Sequence, residues 1–486
     1  MTELDDTAAS AHRSLSERIL LFLLRLLVRA FFRRVEVTGD EFIPRDRGGI
    51  LVAWHPNGLV DPTMLTAHFP GRVIFGAKHV LFEWPIFGML LRASGAVPIF
   101  RAKDAPDMGD DERRAGNNRS LEILAENISG GSYAALFPEG VSHDLPYVVP
   151  LRSGVARLFY QVCEAQAPGS PPPVIIPVGL HYDEKHLFRS RALVHFYPPL
   201  EWSTELDNDP ERVRKLTDLI NEALTKAVRP TEDWTTHRLI NRTRKLIRAE
   251  RAKRAGISSD QPTMEEKVLG FARVQHAYSE RLQSHPLEAE EMRRRIAEYD
   301  EDLIALGLDD HELDRSPPIG GFWVLARTAL NFAFVMLALP PLLLLGYVIN
   351  GPPALLVYGV TKLIRTKKAA VATQKILAGA VFFPLTWLGV VISGMFLHEP
   401  IAARYQWLPD MPILFGVLLA ILSVVGAMHA LHYQAAARQS LKNLRVRFRR
   451  ARRRDMINTA LRERAEIFDE TMRLAEGLKL PGDPIT

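Results

Sequence analysis

The chain has 486 residues, about three domains at ~150 residues each. Its 61 Lys and Arg against 56 Asp and Glu leave a net charge of +5, too small an excess to call for nucleic acid as a partner; 47% hydrophobic and 24% charged residues exclude wholesale disorder. The single cysteine, Cys163, excludes intramolecular disulfides, thiolate zinc clusters and CxxC redox chemistry.

Residues 1–13 are polar and acidic, unlike the basic leader of a secretory signal. The stretch 19–32, ILLFLLRLLVRAFF, is too short to span a bilayer and is interrupted by arginines. On a helix Arg18, Arg25, Arg29 and Arg33 fall on one stripe among Leu, Phe and Val. That pattern predicts an interfacial helix with arginines toward anionic headgroups, or else a core helix with snorkelling arginines. Residues 1–40 are therefore expected to be a tail and an amphipathic helix.

From 41 to 230 short apolar runs alternate with helical patterns. The runs are GGILVAW, RVIFGA, GAVPIF, SYAALF, VIIPVGL and ALVHFY, with helices expected near 62–68, 118–128 and 153–165. Alternation of this kind predicts an α/β layer with functional loops at strand ends. Residues 231–320 are polar and helical in pattern, a charged connector in which the basic run 242–254 could meet phosphate headgroups. Residues 321–435 are apolar, and 328–349, 376–397 and 411–432 are each long enough to span a bilayer. Basic residues collect before the first of these, at 362–368, and at 445–454. Three passages would put these clusters on opposite sides, against the positive-inside rule. Breaks at Pro340-Pro341 and Asn350-Gly351-Pro352-Pro353, with 354–364 returning as a hairpin, make four passages and put every cluster on one side. Residues 436–486 are expected to be a basic cytoplasmic tail.

The main chemical signal is His55-Pro56-Asn57-Gly58-Leu59-Val60-Asp61, at the end of an expected strand. A carboxylate beside an imidazole fixes its tautomer and stabilises its positive charge, so the other ring nitrogen can take a proton from a substrate hydroxyl. Asp61-Pro62 also fits a helix N-cap followed by proline at the first helical position. Phe137-Pro138-Glu139-Gly140 ends a second strand, Gly95–Arg101 a third with an arginine suited to phosphate, and Pro177-Val178-Gly179 closes a fourth.

Through these four ordered blocks the chain resembles the glycerolipid acyltransferase superfamily, that of lysophosphatidate and glycerol-3-phosphate acyltransferases. Five residues rather than four separate His55 from Asp61, and Val141-Ser142-His143-Asp144 replaces the usual arginine after Phe-Pro-Glu-Gly. Both departures are similar to the fungal glycerol-3-phosphate/dihydroxyacetone-phosphate branch. So are Phe188-Arg189-Ser190-Arg191-Ala192 and Val371-Ala372-Thr373-Gln374-Lys375-Ile376-Leu377. The resemblance implies an acyltransferase-type α/β domain in which His55 deprotonates an acyl-acceptor hydroxyl, Asp61 holds His55, and no acyl-enzyme forms. It implies Arg101, Glu139 and Gly140 at the acceptor phosphate. Ser142 and His143 are candidates beside them, His143 reading equally as a plain surface-loop histidine, and Lys78, Lys103 and Arg152 are candidates for the missing arginine. The co-substrate is expected to be acyl-CoA, with no cofactor and no metal. Glycerol 3-phosphate or dihydroxyacetone phosphate is the favoured acyl acceptor, and a lysophospholipid such as 1-acyl-glycerol 3-phosphate the alternative. The expected setting is an anionic bilayer, with the catalytic domain on the cytoplasmic face of a bacterial inner membrane, although the same physics suits an endoplasmic-reticulum membrane.

Other chemistries fit less well. Gly140-Val141-Ser142-His143-Asp144 begins like a nucleophile elbow but lacks its final glycine. His55, Asp61, Glu139, His143 and Asp144 could serve a metal, yet no HExxH-type spacing occurs, and no GxxxxGK[ST] loop supports nucleotide hydrolysis. A lipid-binding membrane scaffold would use the basic segments but leaves the polar strand ends unexplained.

Overall fold

The computed structural model describes residues 14–167, 169–202, 209–257, 262–314, 322–334, 337, 343–364, 367–405, 407 and 409–482. The expected tail at 1–13 and Pro340-Pro341 lie outside them. The chain forms two compact units. One is residues 1–237 with 262–269 and 366–373; the other is 238–261, 270–365 and 374–486.

The first unit begins with helix α1 (Leu15–Phe31) and strand β1 (Arg34–Thr38). There follow β2 (Gly49–Ala53), α2 (Val60–His68), β3 (Val73–Lys78), α3 (Pro85–Ala93) and β4 (Val97–Ile99). Then come α4 (Asp110–Ser129), β5 (Tyr133–Leu136), α5 (Gly154–Ala165), β6 (Val174–Tyr182), β7 (Arg191–Phe196) and α6 (Arg212–Val228). Seven strands form one sheet in the order β1-β7-β6-β2-β5-β3-β4. All neighbours are parallel except β6 and β7. Every residue of β2, GILVA, is buried, as a central parallel strand covered on both faces requires. Ile50 and Val52 share one core with Ile74, Leu124, Leu158 and Ile220, from β3, which lies beyond β5 in the sheet, and from α4, α5 and α6. Helix α2 packs on β3 and β7, with α1 against it.

The six apolar runs all became strands, and β1 (RVEVT) is a seventh that the sequence reading left out. In α1 the exposed face is the apolar one, carrying Leu15, Ile19, Phe22, Leu23 and Leu26. The expected arginine stripe is corrected at Arg25, whose Nε donates to the Ala67 carbonyl at 3.0 Å. A cation is favoured there because helix α2 ends at His68 with unpaired carbonyls.

In the second unit the connector and tail are not separate pieces. Helices α7 (Trp234–Arg254), α8 (Met264–Ser284), α9 (Pro286–Leu306) and α10 (Asp310–Leu313) precede the apolar region. Within it are α11 (Phe322–Ala333), α12 (Leu344–Leu363), α13 (Val371–Arg404) and α14 (Pro412–Arg452), and α15 (Arg454–Ala475) closes the chain. Leu246, Ile296, Tyr299 and Leu303 form one core with Ile457 and Ile467 of α15, which makes the expected tail part of a helical bundle. Arg464 is fully buried and pairs with Glu250 at 3.0 Å and Asp314 at 2.7 Å.

Among the described residues two helices are long and apolar enough to cross a membrane, 368–404 and 412–446. The expected turn at 350–353 is corrected: α12 runs straight through Asn350, Gly351, Pro352 and Pro353. Asn350 is buried there, donating through Nδ2 to the Ser423 carbonyl at 3.0 Å and accepting from Trp387 Nε1 at 3.0 Å. Contacts to two other helices thus override the local breaker signal, since prolines are tolerated in helices whose neighbours supply partners. Gly346 meets Gly426, and Gly394 meets Gly416, at backbone contact, as small residues allow between apolar helices.

Candidate active site

The strand order explains how the site assembles. Strands β2 to β6 all run parallel to their neighbours in this half of the sheet, so their carboxyl ends open on one edge, where α/β sheets place ligands. Val52 pairs with Leu136, so the residues after β2 lie beside those after β5. Lys78 pairs with Ile99, which brings it next to the residues leading to Arg101.

His55 Nδ1 is 2.9 Å from Asp61 Oδ2, and Asp61 is fully buried. The Asn57 amide donates to the same oxygen at 2.7 Å, and the Tyr182 hydroxyl donates to Oδ1 at 2.6 Å. With donors on both oxygens the carboxylate acts as acceptor, so His55 carries its proton on Nδ1 and keeps the Nε2 lone pair. Burial, and then the charge of Asp61, hold the Tyr182 phenol well above its usual pKa, so it remains a donor. The His55 ring stacks on Phe137 with centroids 4.3 Å apart, and its side chain is 19% exposed. Asp61 does not cap α2: Leu59 occupies that position, and the carboxylate turns back to His55 instead.

Glu139 is a brace. Its buried carboxylate accepts the His55 amide at 3.1 Å and the Val149 amide at 3.0 Å. His143 Nδ1 accepts the Leu145 amide at 3.2 Å, which leaves Nε2 protonated to donate to Glu139 Oε1 at 2.8 Å. The His143 amide donates to the His55 carbonyl at 3.2 Å. Glu139 and His143 thus bond to each other and to the His55 backbone. Gly140 sits at φ +69°, where a side chain would be strained and would strike Arg152 Nε at 2.8 Å. Arg101 donates through Nη1 to the Gly140 carbonyl at 2.7 Å and pairs with Asp104. The Arg152 amide donates to the Pro138 carbonyl at 2.8 Å, leaving its exposed guanidinium at the rim.

Lys78 has its pKa lowered by burial first, and further by the nearby charges of Arg101, Lys103 and Lys367 against the opposing pull of Asp104. These cations lie near enough to Lys78 to act on it, and Arg101 reaches the Gly140 carbonyl of the Phe-Pro-Glu-Gly loop. Ser142 is half-buried in that loop and makes none of the contacts described. Among the described residues no group of three His, Cys, Asp or Glu could hold a metal ion.

Three contributors were missed from sequence. Tyr182 lies three residues beyond the block ending at Gly179, at the end of the long strand β6. Lys185 donates to the Pro56 carbonyl at 3.0 Å and pairs with Asp144 at 2.5 Å, closing the turn from another loop. Thr373 accepts the Leu59 amide at 3.1 Å. Tyr182 had a faint signal, because its strand ends on the same edge as the others; for Lys185 and Thr373 only the tertiary fold brings the partners together.

Asp61 paired with His55 at strand ends, braced by the Phe-Pro-Glu-Gly loop, is the candidate site of an acyltransferase-type domain. Residues 34–181 match the family model described as Acyltransferase, and with the relatives below that match supports the glycerolipid acyltransferase superfamily for this domain. An uncharacterized acyltransferase of Schizosaccharomyces pombe is 24% identical over 466 residues, covering 77% of this chain and 66% of that protein. Glycerol-3-phosphate O-acyltransferase 1 of Saccharomyces cerevisiae is 32% identical over 136 residues, 26% of this chain and 17% of the yeast protein. Lyso-ornithine lipid O-acyltransferase of Rhodobacter capsulatus is 31% identical over 149 residues, 31% of this chain and 48% of that protein. The chain spans no more than two thirds of the length of any of these three relatives.

Proposed function

We propose that the protein is a membrane-associated O-acyltransferase that moves a fatty acyl group from acyl-CoA to glycerol 3-phosphate or dihydroxyacetone phosphate. The observation that carries this reading is the His55–Asp61 pair, with Nδ1 committed at 2.9 Å and the ring edge open to solvent. His55 Nε2 takes the proton of the acceptor hydroxyl as its oxygen attacks the thioester carbonyl. Asp61 offsets the imidazolium charge through the transition state. Collapse of the tetrahedral intermediate breaks the C–S bond, and the proton on Nε2 passes to the departing thiolate. The product is an ester and free CoA, with no acyl-enzyme. Lys78, Lys103 and Arg101, with Arg152 at the rim, attract the acceptor phosphate, as the charges of Arg101 and Lys103 near Lys78 support. The apolar outer face of α1 rests on the bilayer surface, supported by its five exposed large hydrophobic residues. The catalytic domain lies on the cytoplasmic face.

A lysolipid acceptor is the second reading, favoured by the likeness to lyso-ornithine lipid O-acyltransferase. Detergent-purified protein is given labelled acyl-CoA with either glycerol 3-phosphate or 1-acyl-glycerol 3-phosphate. Transfer to the water-soluble acceptor, reduced ~10²–10⁴-fold in His55→Ala, is the expected result. Transfer only to the lysolipid keeps the mechanism and replaces the acceptor. Equal behaviour of wild type and His55→Ala overturns the general-base role.

A further inference from the structure

The turn between His55 and Asp61 is short, and the amides of Asn57, Leu59, Val60 and Asp61 each have a partner. Asn57 donates to Asp61 Oδ2 at 2.7 Å, Val60 to the Asn57 carbonyl at 3.0 Å, and Asp61 to the Gly58 carbonyl at 3.3 Å. Leu59 is the N-cap of α2, where a side chain normally satisfies the orphan amides, and it offers no side-chain cap. Its amide is satisfied by Thr373 Oγ1 at 3.1 Å, from 314 residues further along the chain.

The same segment fills the space over Gly58, which adopts φ +50°. A Cβ there would lie 2.8 Å from Thr373 Oγ1 and 3.1 Å from the Ala369 carbonyl. Ala369 and Ala372 are buried, at 1% and 0% exposure. Lys368 Nζ lies 3.8 Å from Asp144, in the loop that also carries Glu139 and His143. Residues 366–373 thus pack with the catalytic unit, apart in sequence from the rest of it. Thr373 also lies in the first turn of α13, the helix that continues as a stretch apolar enough to cross a membrane.

We propose that Thr373 is a positioning residue for the acyltransferase site: its hydroxyl, accepting the Leu59 amide over Gly58, holds the turn that sets His55 against Asp61. This rests on the acyltransferase reading above. The site is then complete only with the 367–373 segment in place, and turnover depends on the start of the apolar helix as well as on the α/β domain. Thr373 bonds to the Leu59 amide rather than to His55 and so acts through the turn. Loss of its oxygen therefore lowers kcat and leaves the KM of both substrates nearly unchanged.

The test uses the full-length protein in detergent and compares wild type, Thr373→Val and Thr373→Ser. Valine keeps the β-branched shape and removes the acceptor oxygen, whereas serine keeps the oxygen and removes the methyl. Thr373→Val is expected to lose ~10-fold in kcat, as for one hydrogen bond expressed in the barrier. KM should stay within about twofold, and Thr373→Ser should return to near wild type by the same argument. Hydrogen exchange of the 55–61 peptide, which needs no substrate, should quicken in the valine variant alone. Valine turning over like wild type, or valine and serine impaired alike, overturns the proposal. If wild type transfers no acyl group while exchange still separates valine from serine, the positioning role stands and the acyltransferase reading fails. If exchange in valine matches wild type, the positioning role itself fails.

Discussion

At the scale of single residues, the site shows how a buried carboxylate is kept useful. Asp61 has no access to water, so each of its lone pairs must be met inside the protein. Asn57, His55 and Tyr182 meet them, and Tyr182 is the one that arrives from another strand, at 2.6 Å. A hydrogen bond to a charged group is worth ~1.5–3 kcal/mol, so Tyr182→Phe should cost ~10–100-fold in kcat. Steady-state kinetics at saturating acyl-CoA check this, and an unchanged kcat would show that Asp61 needs only its two local donors. The pair itself was legible in the sequence because three further polar strand-end blocks accompany it, although Asp61-Pro62 also fitted a helix N-cap. Its supporting partners were not. Glu139 and His143 read as phosphate ligands because polar residues at a strand end face solvent by default, and only the β2–β5 register shows that they face the His55 backbone.

At the scale of elements, the strands were readable because each buried parallel strand is a short continuous apolar run between turn residues. Strand β1 escaped because in RVEVT Val35 and Val37 alternate with Arg34, Glu36 and Thr38, so it shows no continuous apolar run. The helices of the second unit were recognised as helices, but the partnership of α15 with α7 and α9 could not be read from periodicity, since an amphipathic helix does not name its partner. Arg464 makes that partnership specific. It is enclosed by Glu250 and Asp314, and its Nη1 donates to the Asp310 carbonyl at 2.9 Å. Asp310 in turn binds Arg242 at 2.8 Å and the Tyr299 hydroxyl at 2.9 Å. Removing one member of such a network strands the others without water or a countercharge. Arg464→Ala should therefore destabilise the bundle by about 3–5 kcal/mol. Cleavage within α15 under pulse proteolysis should move to clearly lower urea. A midpoint equal to wild type would mean the acidic side chains find other partners at no cost.

At the scale of the whole molecule, the two units rest on different physics, and pH should separate them. The helical unit is held in part by ion pairs; the sheet of the catalytic unit instead encloses a neutral histidine. Burial first, and then the charges of His195 and Arg229, push His181 down to about 4 from its ordinary 6.5. Gly179 leaves little room around it, since a Cβ there would fall 2.7 Å from His181 Nε2. The unfolded chain takes up this proton near pH 6.5, whereas the folded strand resists it until about pH 4. Stability from this group is therefore complete above pH 6.5 and is lost as pH falls toward 4. A drop of roughly 2.5 units corresponds to about 3 kcal/mol at most, a large part of what a domain has in reserve. Hydrogen exchange of the β6 peptide, corrected for the intrinsic effect of pH, should lose protection between pH 7 and 4.5. His181→Gln cannot take the proton and should flatten that loss, even if it is less stable at pH 7. Equal losses in both proteins would place the acid sensitivity of the catalytic unit elsewhere, with His237, which burial also pushes down to about 4, the next to replace.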